Sequence, residues 1–303
     1  MSAGGGMACE TDSFTVGKAQ IHRVEELSLS FPMDMLKVPD ALIERHRDWL
    51  FPHWFDADGN WTMVVQSWIA IVDGLVVVID PCVGNSRPLP AFPVFDMLDT
   101  PFIERFGATG IRPEQVDAVI CTHLHSDHCG WNTTLRDGRF VPTFPNAKYY
   151  MARREFDRWD PRRPGHLAVD ANAGVFERSV QPVLEAGLVE LIPADHRISP
   201  SLAVCEAHGH TAGHVALHLA SAGREAWFTG DCFHHPIELL HPEIDAGTCE
   251  DFATALATRQ RLIEAIVSTG ALIVPGHFAA PHAGYLCESD GERRFEPLAS
   301  RAA

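Results

Sequence analysis

From Cys121 to Gly130 the chain reads Cys-Thr-His-Leu-His-Ser-Asp-His-Cys-Gly, which sets His123, His125, Asp127 and His128 within six residues of one another. Imidazole and carboxylate are the donor set that suits zinc. Placing so many polar rings in an ordinary core is costly, because each buried imidazole needs a hydrogen-bonding partner. A solvated, histidine-rich loop is the bland alternative. It is disfavoured because the apolar run Val116-Asp-Ala-Val-Ile-Cys, which reads as a buried strand, stands directly before the cluster. A strand ended by a tight turn aims residues i and i+2 at one ion and i+4 and i+5 at its neighbour. Ions about 3.5–4 Å apart are the arrangement of a two-metal hydrolytic site.

Three further motifs follow in order: Gly209-His210-Thr211-Ala212-Gly213-His214, Phe228-Thr229-Gly230-Asp231 and Pro275-Gly276-His277. With His123-x-His125-x-Asp127-His128 they resemble the signature of the metallo-β-lactamase-fold hydrolases, over residues 65–277. Four ordered motifs are far more specific than one. The resemblance implies an α/β fold, an αββα four-layer sandwich of two mixed β-sheets flanked by helices. It also implies two metal ions, with His123, His125 and His210 on the first, Asp127, His128 and His277 on the second, and Asp231 bridging. Two Zn2+ are expected; Mn2+, Co2+ or Fe2+ suit the same donors.

The implied activity is that of a dinuclear zinc hydrolase using a metal-bridging hydroxide to open a lactone or cleave a carboxylic ester of an apolar small molecule. Asp127 is the catalytic candidate for orienting the nucleophile and passing its proton to the leaving oxygen. His125 stands where iron-dependent redox members often carry Glu, which favours hydrolysis. Asp231 stands where true β-lactamases of the fold lack a carboxylate. Glyoxalase-type thioesterases place basic residues near the C-terminus, and Arg293 and Arg294 are a weak match. N-acyl-homoserine lactonases typically carry Tyr three residues after the bridging Asp. Here that position is His234, a second catalytic candidate able to hydrogen-bond the same substrate oxygen if its tautomer allows. Organophosphate triester hydrolysis is the alternative within the hydrolases. Iron-dependent oxidoreduction and non-catalytic metal binding are the alternatives outside them.

Composition narrows the partners. The chain has 303 residues and a formal charge of −16, which argues against nucleic acid as substrate. Its 46% hydrophobic content supports a substantial core. No apolar run approaches the ~18 residues of a membrane span. The N-terminal residues show no basic flank or apolar stretch of a secretion signal, and a cytoplasmic location is expected. The eight cysteines (Cys9, Cys82, Cys121, Cys129, Cys205, Cys232, Cys249, Cys287) show no paired spacing and read as reduced, mostly buried residues. Cys129 and Cys232 adjoin expected ligands but are assigned to packing. A homodimer, built through the N-terminal and inserted segments, is compatible with this branch.

The remaining chain has to position these groups. Residues 1–18 are expected to be disordered, and residues 19–303 to form a single domain. Residues 19–27 read as an edge strand. Segment 30–60 concentrates large apolar residues among prolines and either lines the substrate pocket or packs in the core. Residues 61–70 and 75–80 predict a hairpin around Asp73-Gly74. Asp80 is a turn cap or an acceptor orienting a ligand histidine. Residues 131–175 read as an insertion holding a strand at 147–151. Strands at 188–192, 202–206, 215–220 and 225–229 are assigned to the second sheet. Residues 249–267 predict an amphipathic helix, and 272–275 a buried strand that delivers His277. His208 and His214 are expected to support the ligand loops, His235 and His241 to lie in loops or to back the ligands, His218 to be structural, and His53 to matter only if segment 30–60 closes over the site.

Overall fold

Which layer a side chain joins follows from the two-residue period of the strands. The computed structural model describes residues 13–51, 53–56, 58–289 and 292–298. Its strands are β1 (Ser13–Val16), β2 (Ala19–Phe31), β3 (Trp61–Val72), β4 (Leu75–Ile79), β5 (Ala118–Cys121), β6 (Thr133–Arg136), β7 (Arg139–Pro142), β8 (Lys148–Ala152), β9 (Val189–Ile192), β10 (Leu202–Glu206), β11 (Val215–Ser221), β12 (Arg224–Gly230), β13 (Leu272–Pro275), β14 (Gly284–Ser289) and β15 (Glu292–Pro297). The α-helices are α1 (Asp40–Arg45), α2 (Arg47–Leu50), α3 (Phe102–Ala108), α4 (Ser126–Cys129), α5 (Arg153–Trp159), α6 (Gln181–Glu185), α7 (Ile237–Leu240) and α8 (Phe252–Thr269).

One sheet runs in the order β1-β2-β3-β4-β5-β8-β9 and the other from β10 to β15 in sequence, with β6 and β7 as a separate ribbon. Both large sheets are mixed: β4, β5, β8 and β9 are parallel to one another, and β12 is parallel to β13. Trp68, Ala70, Val77, Ile79, Ala118 and Ile120 of the first sheet share one apolar cluster with Leu217, Leu219, Ala226, Phe228, Leu272 and Val274 of the second. The alternate residues Ile69, Val78, Val119 and Ile273 belong to another cluster. That cluster also contains Phe102 and Phe106 of α3, Phe156 and Trp159 of α5, and Leu262, Ile263 and Ile266 of α8. The result is the expected α/β sandwich, two mixed sheets face to face with helices against them.

The β3–β4 hairpin forms as predicted. Val72 pairs with Leu75, and Asp73 (φ 52°) and Gly74 (φ 81°) supply the two positive dihedrals of a tight hairpin turn. α8 and β13 also stand where the sequence places them. Three expectations need correction. Ser13–Val16, inside the segment expected to be disordered, is strand β1, because Gly17 (φ 60°) reverses the chain and lets it pair with β2. β2 is therefore not an edge; it pairs with β1 on one side and β3 on the other. Val189–Ile192 joins β8 in the first sheet instead of β10 in the second, since parallel pairing with β8 satisfies its backbone. Residues 1–12, with Cys9, lie outside the described residues. Segment 131–175 supplies the ribbon and α5, and also β8, a strand between β5 and β9.

In segment 30–60, Leu36, Leu50, Trp54 and Phe55 are buried in the core while Met35 is exposed. His53 is exposed beside Trp54, with ring centroids 5.5 Å apart. The helical face of α8 carries one surprise, a buried arginine. Arg259 donates to the carbonyls of Cys232 (2.8 Å), Pro242 (3.1 Å) and Ile244 (2.7 Å) and to Glu238 Oε1 (2.8 Å). Glu238 Oε2 in turn accepts from the backbone N–H groups of His234 (2.6 Å) and His235 (3.1 Å). Removing one partner of a buried, hydrogen-bonded ion pair leaves the other charge uncompensated. Arg259→Met is therefore expected to lower the unfolding free energy by about 3–5 kcal/mol, read from urea denaturation.

Candidate metal centre

Each ligand motif is delivered by a strand end or the loop beyond it. β5 ends at Cys121, two residues before His123; β12 ends at Gly230, beside Asp231; β13 ends at Pro275, ahead of His277. His210 lies between β10 and β11, in a loop whose Gly209 (φ 128°) packs on α8 so closely that a Cβ would stand 2.2 Å from the Ala255 nitrogen. Gly230 (φ 48°) is similarly enclosed: a Cβ there would meet Thr122 Oγ1 at 2.6 Å and His214 Nε2 at 2.7 Å.

These loops bring the seven residues assigned from sequence into two adjoining groups, His123, His125, His210 and Asp231 in one and Asp127, His128 and His277 in the other. In the first, His125 Nδ1 lies 3.0 Å from both His123 Nε2 and His210 Nε2. In the second, His128 Nε2 and His277 Nε2 are 3.1 Å apart, and Asp127 Oδ2 is 3.6 Å from His277 Nε2. Asp231 divides its carboxylate between them. Its Oδ2 lies 3.4 Å from His210 Nε2 and 3.8 Å from His123 Nε2, while its Oδ1 lies 3.1 Å from both His128 Nε2 and His277 Nε2.

The outer nitrogens fix which lone pairs face inward. His277 Nδ1 lies 2.9 Å from the Val64 carbonyl, so it carries the proton and leaves Nε2 free to coordinate. Thr122 Oγ1 donates to Asp80 Oδ2 at 2.7 Å and so accepts from His123 Nδ1 at 3.1 Å, with the same outcome for His123 Nε2. Asp80 Oδ2 also lies 3.1 Å from His128 Nδ1, a charge contact without hydrogen-bond alignment, while its hydrogen bonds go to the Thr122 N–H and hydroxyl. His214 is tied through Nδ1 to the Ala207 carbonyl (3.1 Å), and its Nε2 accepts the Asp231 backbone N–H (3.1 Å). His208 Nδ1 lies 3.0 Å from the His214 carbonyl. Both support the loops and stand outside the two groups, as expected.

Electrostatics match a ligand role. Burial holds His123 and His210 well below the ordinary imidazole range and lowers His125 to about 4, so all three present neutral nitrogens at neutral pH. For His128 and His277 burial also opposes charge, but the Asp231 carboxylate outweighs it and raises both. Burial alone would raise Asp231; His128, His277 and His234 overcome this and hold it well below the carboxylate range. Converging nitrogens around a buried anion, with Asp231 Oδ1 lacking a hydrogen-bond partner, are what a cationic metal would satisfy. The residues present fit it.

The metallo-β-lactamase superfamily model matches residues 58–277, most of the chain. The chain belongs to the metallo-β-lactamase superfamily. It is a metal-dependent hydrolase of that superfamily. Among solved structures of the same fold, a hydrolase called AbOPH, described as in the β-lactamase superfamily, is 21% identical, with a TM-score of 0.78, covering 97% of this chain and 99% of that one. AidC, described as a dizinc quorum-quenching lactonase in complex with its product N-hexanoyl-L-homoserine, is 15% identical, with a TM-score of 0.74 and coverages of 95% and 97%. A probable metal-dependent hydrolase from Staphylococcus aureus is 16% identical, with a TM-score of 0.69 and coverages of 92% and 96%. No curated protein matches the sequence.

Around this superfamily centre the remaining expectations divide. His234 reaches it: its Nε2 lies 3.3 Å from Asp231 Oδ2, and its ring stacks parallel to His277 at 5.9 Å. Cys129 and Cys232 join neither group, and among the described residues the cysteines are free thiols. His218 pairs with Glu225 (2.9 Å) at the surface. His241 Nε2 lies 2.9 Å from His46 Nε2, outside the centre. Glu155, Thr122 and the Glu238–Arg259 pair escaped the sequence reading. Only Arg259 left a trace, an arginine on the buried stripe of α8 that also carries Ala255, Leu262, Ile263 and Ile266.

His235 is fully buried beside Trp54, Phe55 and Trp61, and burial lowers it to about 3. An unfolded histidine titrates near 6.5. The folded state therefore resists protonation that the unfolded state accepts, and stability present above that value is lost as pH falls toward 3. Between pH 7 and pH 5 the loss from this residue is about 2 kcal/mol. In His235→Leu that part of the acid sensitivity should vanish, seen by comparing urea midpoints at the two pH values.

Proposed function

We propose that the protein is a dinuclear zinc hydrolase that opens a lactone or cleaves a carboxylic ester of a largely apolar small molecule. The observation that carries this reading is the division of Asp231, one oxygen facing each histidine group. His123, His125 and His210 would hold one ion, Asp127, His128 and His277 the other, and Asp231 both. When bound, such ions supply a water acidic enough to act as a nucleophile near neutral pH and a Lewis acid for the scissile carbonyl. Lactone opening is favoured within the class by AidC, whose described product is an opened acyl-homoserine.

The chain's own groups do the rest. Asp127 is more open than the shared carboxylate, with its side chain 15% exposed against 5% for Asp231. It is therefore the carboxylate able to meet substrate and carry a proton to the leaving oxygen. His234 offers an imidazole N–H beside the shared carboxylate, in reach of a substrate oxygen. The Glu238 carboxylate holds its backbone N–H, so the ring is aimed by a buried anchor. Among the described residues no helix is long and apolar enough to cross a membrane, which accords with a substrate met in the cytoplasm.

The test is turnover by metal-analysed protein on acyl-homoserine lactones, simple γ- and δ-lactones, aryl esters and an aryl phosphotriester. Lactone turnover is expected, with kcat/KM falling more than about 100-fold in Asp231→Ala together with metal content. Aryl-ester or phosphotriester turnover with inert lactones would reassign the substrate, and a protein binding no metal would sink the reading. His234→Phe should retain metal while kcat falls by about 100-fold, the effect of losing one donor to a developing oxyanion. An unchanged kcat would remove His234 from the mechanism.

A further inference from the structure

One buried carboxylate outside the ligand set touches both loops that carry the first histidine group. Glu155 lies in α5 with its side chain enclosed. Its Oε1 accepts from the Leu124 backbone N–H (3.0 Å) and the Trp159 indole N–H (2.6 Å). Its Oε2 accepts from the Thr211 hydroxyl (2.7 Å) and the Gly213 backbone N–H (3.0 Å). Leu124 is the residue between His123 and His125, and Thr211 follows His210.

Neighbouring contacts hold the same spacing. Gly213 approaches the start of α5 so closely that a Cβ would stand 2.2 Å from the Glu155 nitrogen. Trp159, tied to Glu155, lies edge-on to the His125 ring with centroids 5.4 Å apart. Asn172 Nδ2 donates to the Leu124 carbonyl at 2.9 Å, holding the next peptide group, between Leu124 and His125.

We propose that Glu155 is a positioning residue that sets the separation of the His123–His125 loop from the His210 loop, and through it the metal affinity of the first group. The proposal rests on the ligand assignment above. An ionised carboxylate presents acceptors only, and here each oxygen meets two donors. A glutamine of the same shape turns an N–H2 toward one of those donor pairs, leaving buried donors unpaired and pushing the loops apart. His125 Nδ1 and His210 Nε2 are 3.0 Å apart, so a small displacement alters their common focus. Partners that orient ligands in this way typically govern metal affinity by about 10–100-fold.

Glu26 provides a matched control. It too is buried and accepts from four donors, Val83 N–H, Gly84 N–H, Trp131 Nε1 and Thr100 Oγ1, none of them in a loop of the first group. The experiment is chelator-driven zinc release from the full-length, zinc-loaded protein, followed with a metal indicator, with melting temperature measured in parallel. Glu155→Gln should release one bound equivalent about 10–100-fold faster than wild type. Thr211→Val, which removes a single donor and keeps the carboxylate, should accelerate the same phase by less. Glu26→Gln should lower the melting temperature with zinc release as in wild type. Wild-type release from Glu155→Gln and Thr211→Val, or equal acceleration by Glu26→Gln, overturns the proposal while the ligand assignment stands. A wild-type protein that takes up no zinc overturns both, and is told apart by the wild-type sample alone.

Discussion

A buried carboxylate with histidine nitrogens on both sides is the constraint that the centre is built around. Asp231 has no solvent to stabilise its charge, and an isolated anion there would protonate or destabilise the fold. His128, His277 and His234 supply the opposing field, and the backbone N–H of Asp231 is received by His214. Two of those rings are fixed in turn by carbonyls, His277 by Val64 and His214 by Ala207, and His128 lies 3.1 Å from the Asp80 carboxylate. Polar groups this deep are tolerable only as a connected network, and the network reaches from β3 to β13.

The sandwich explains how residues over a hundred positions apart meet. Parallel pairing of β12 with β13 puts Asp231 and His277 beyond the same edge of one sheet, while β5 brings His123 to the facing edge of the other. Packing between the sheets is apolar, supplied by alternate residues of each strand. The histidines of the centre gather beyond the strand ends, so the polar network costs the core little of its continuity. Helix α8 serves both regions, with Ile263 and Ile266 in the core and Arg259 holding the loop that carries His234.

Much of this was legible in the sequence because the informative signals are local. Four ligands one to five residues apart, an Asp-Gly turn between alternating strands and an apolar stripe along α8 each sit within one window of chain. What stayed hidden depends on distant partners. Val189–Ile192 has no feature that tells the first sheet from the second; only the available edge of β8 decides it. Glu155 follows Arg153 and Arg154 and reads as part of a solvated helix, yet tertiary packing buries it against two loops. Glu238, in the short helix α7, reads as an ordinary surface acid until Arg259 is seen to meet it. Segment 30–60 could line a pocket or fill the core; Leu50, Trp54 and Phe55 fill it.

Gly230 joins the histories of the two sheets. Its missing side chain is the space taken by Thr122 from one motif and His214 from another. Three positions far apart in the chain therefore form a single packed unit. A recombinant that took β5 from one relative and β12 from another would keep every metal-binding residue and still fail wherever the parents fill that space differently. The two halves of the sandwich are thus fitted to each other at this one point, and a change in either has to be matched in the other.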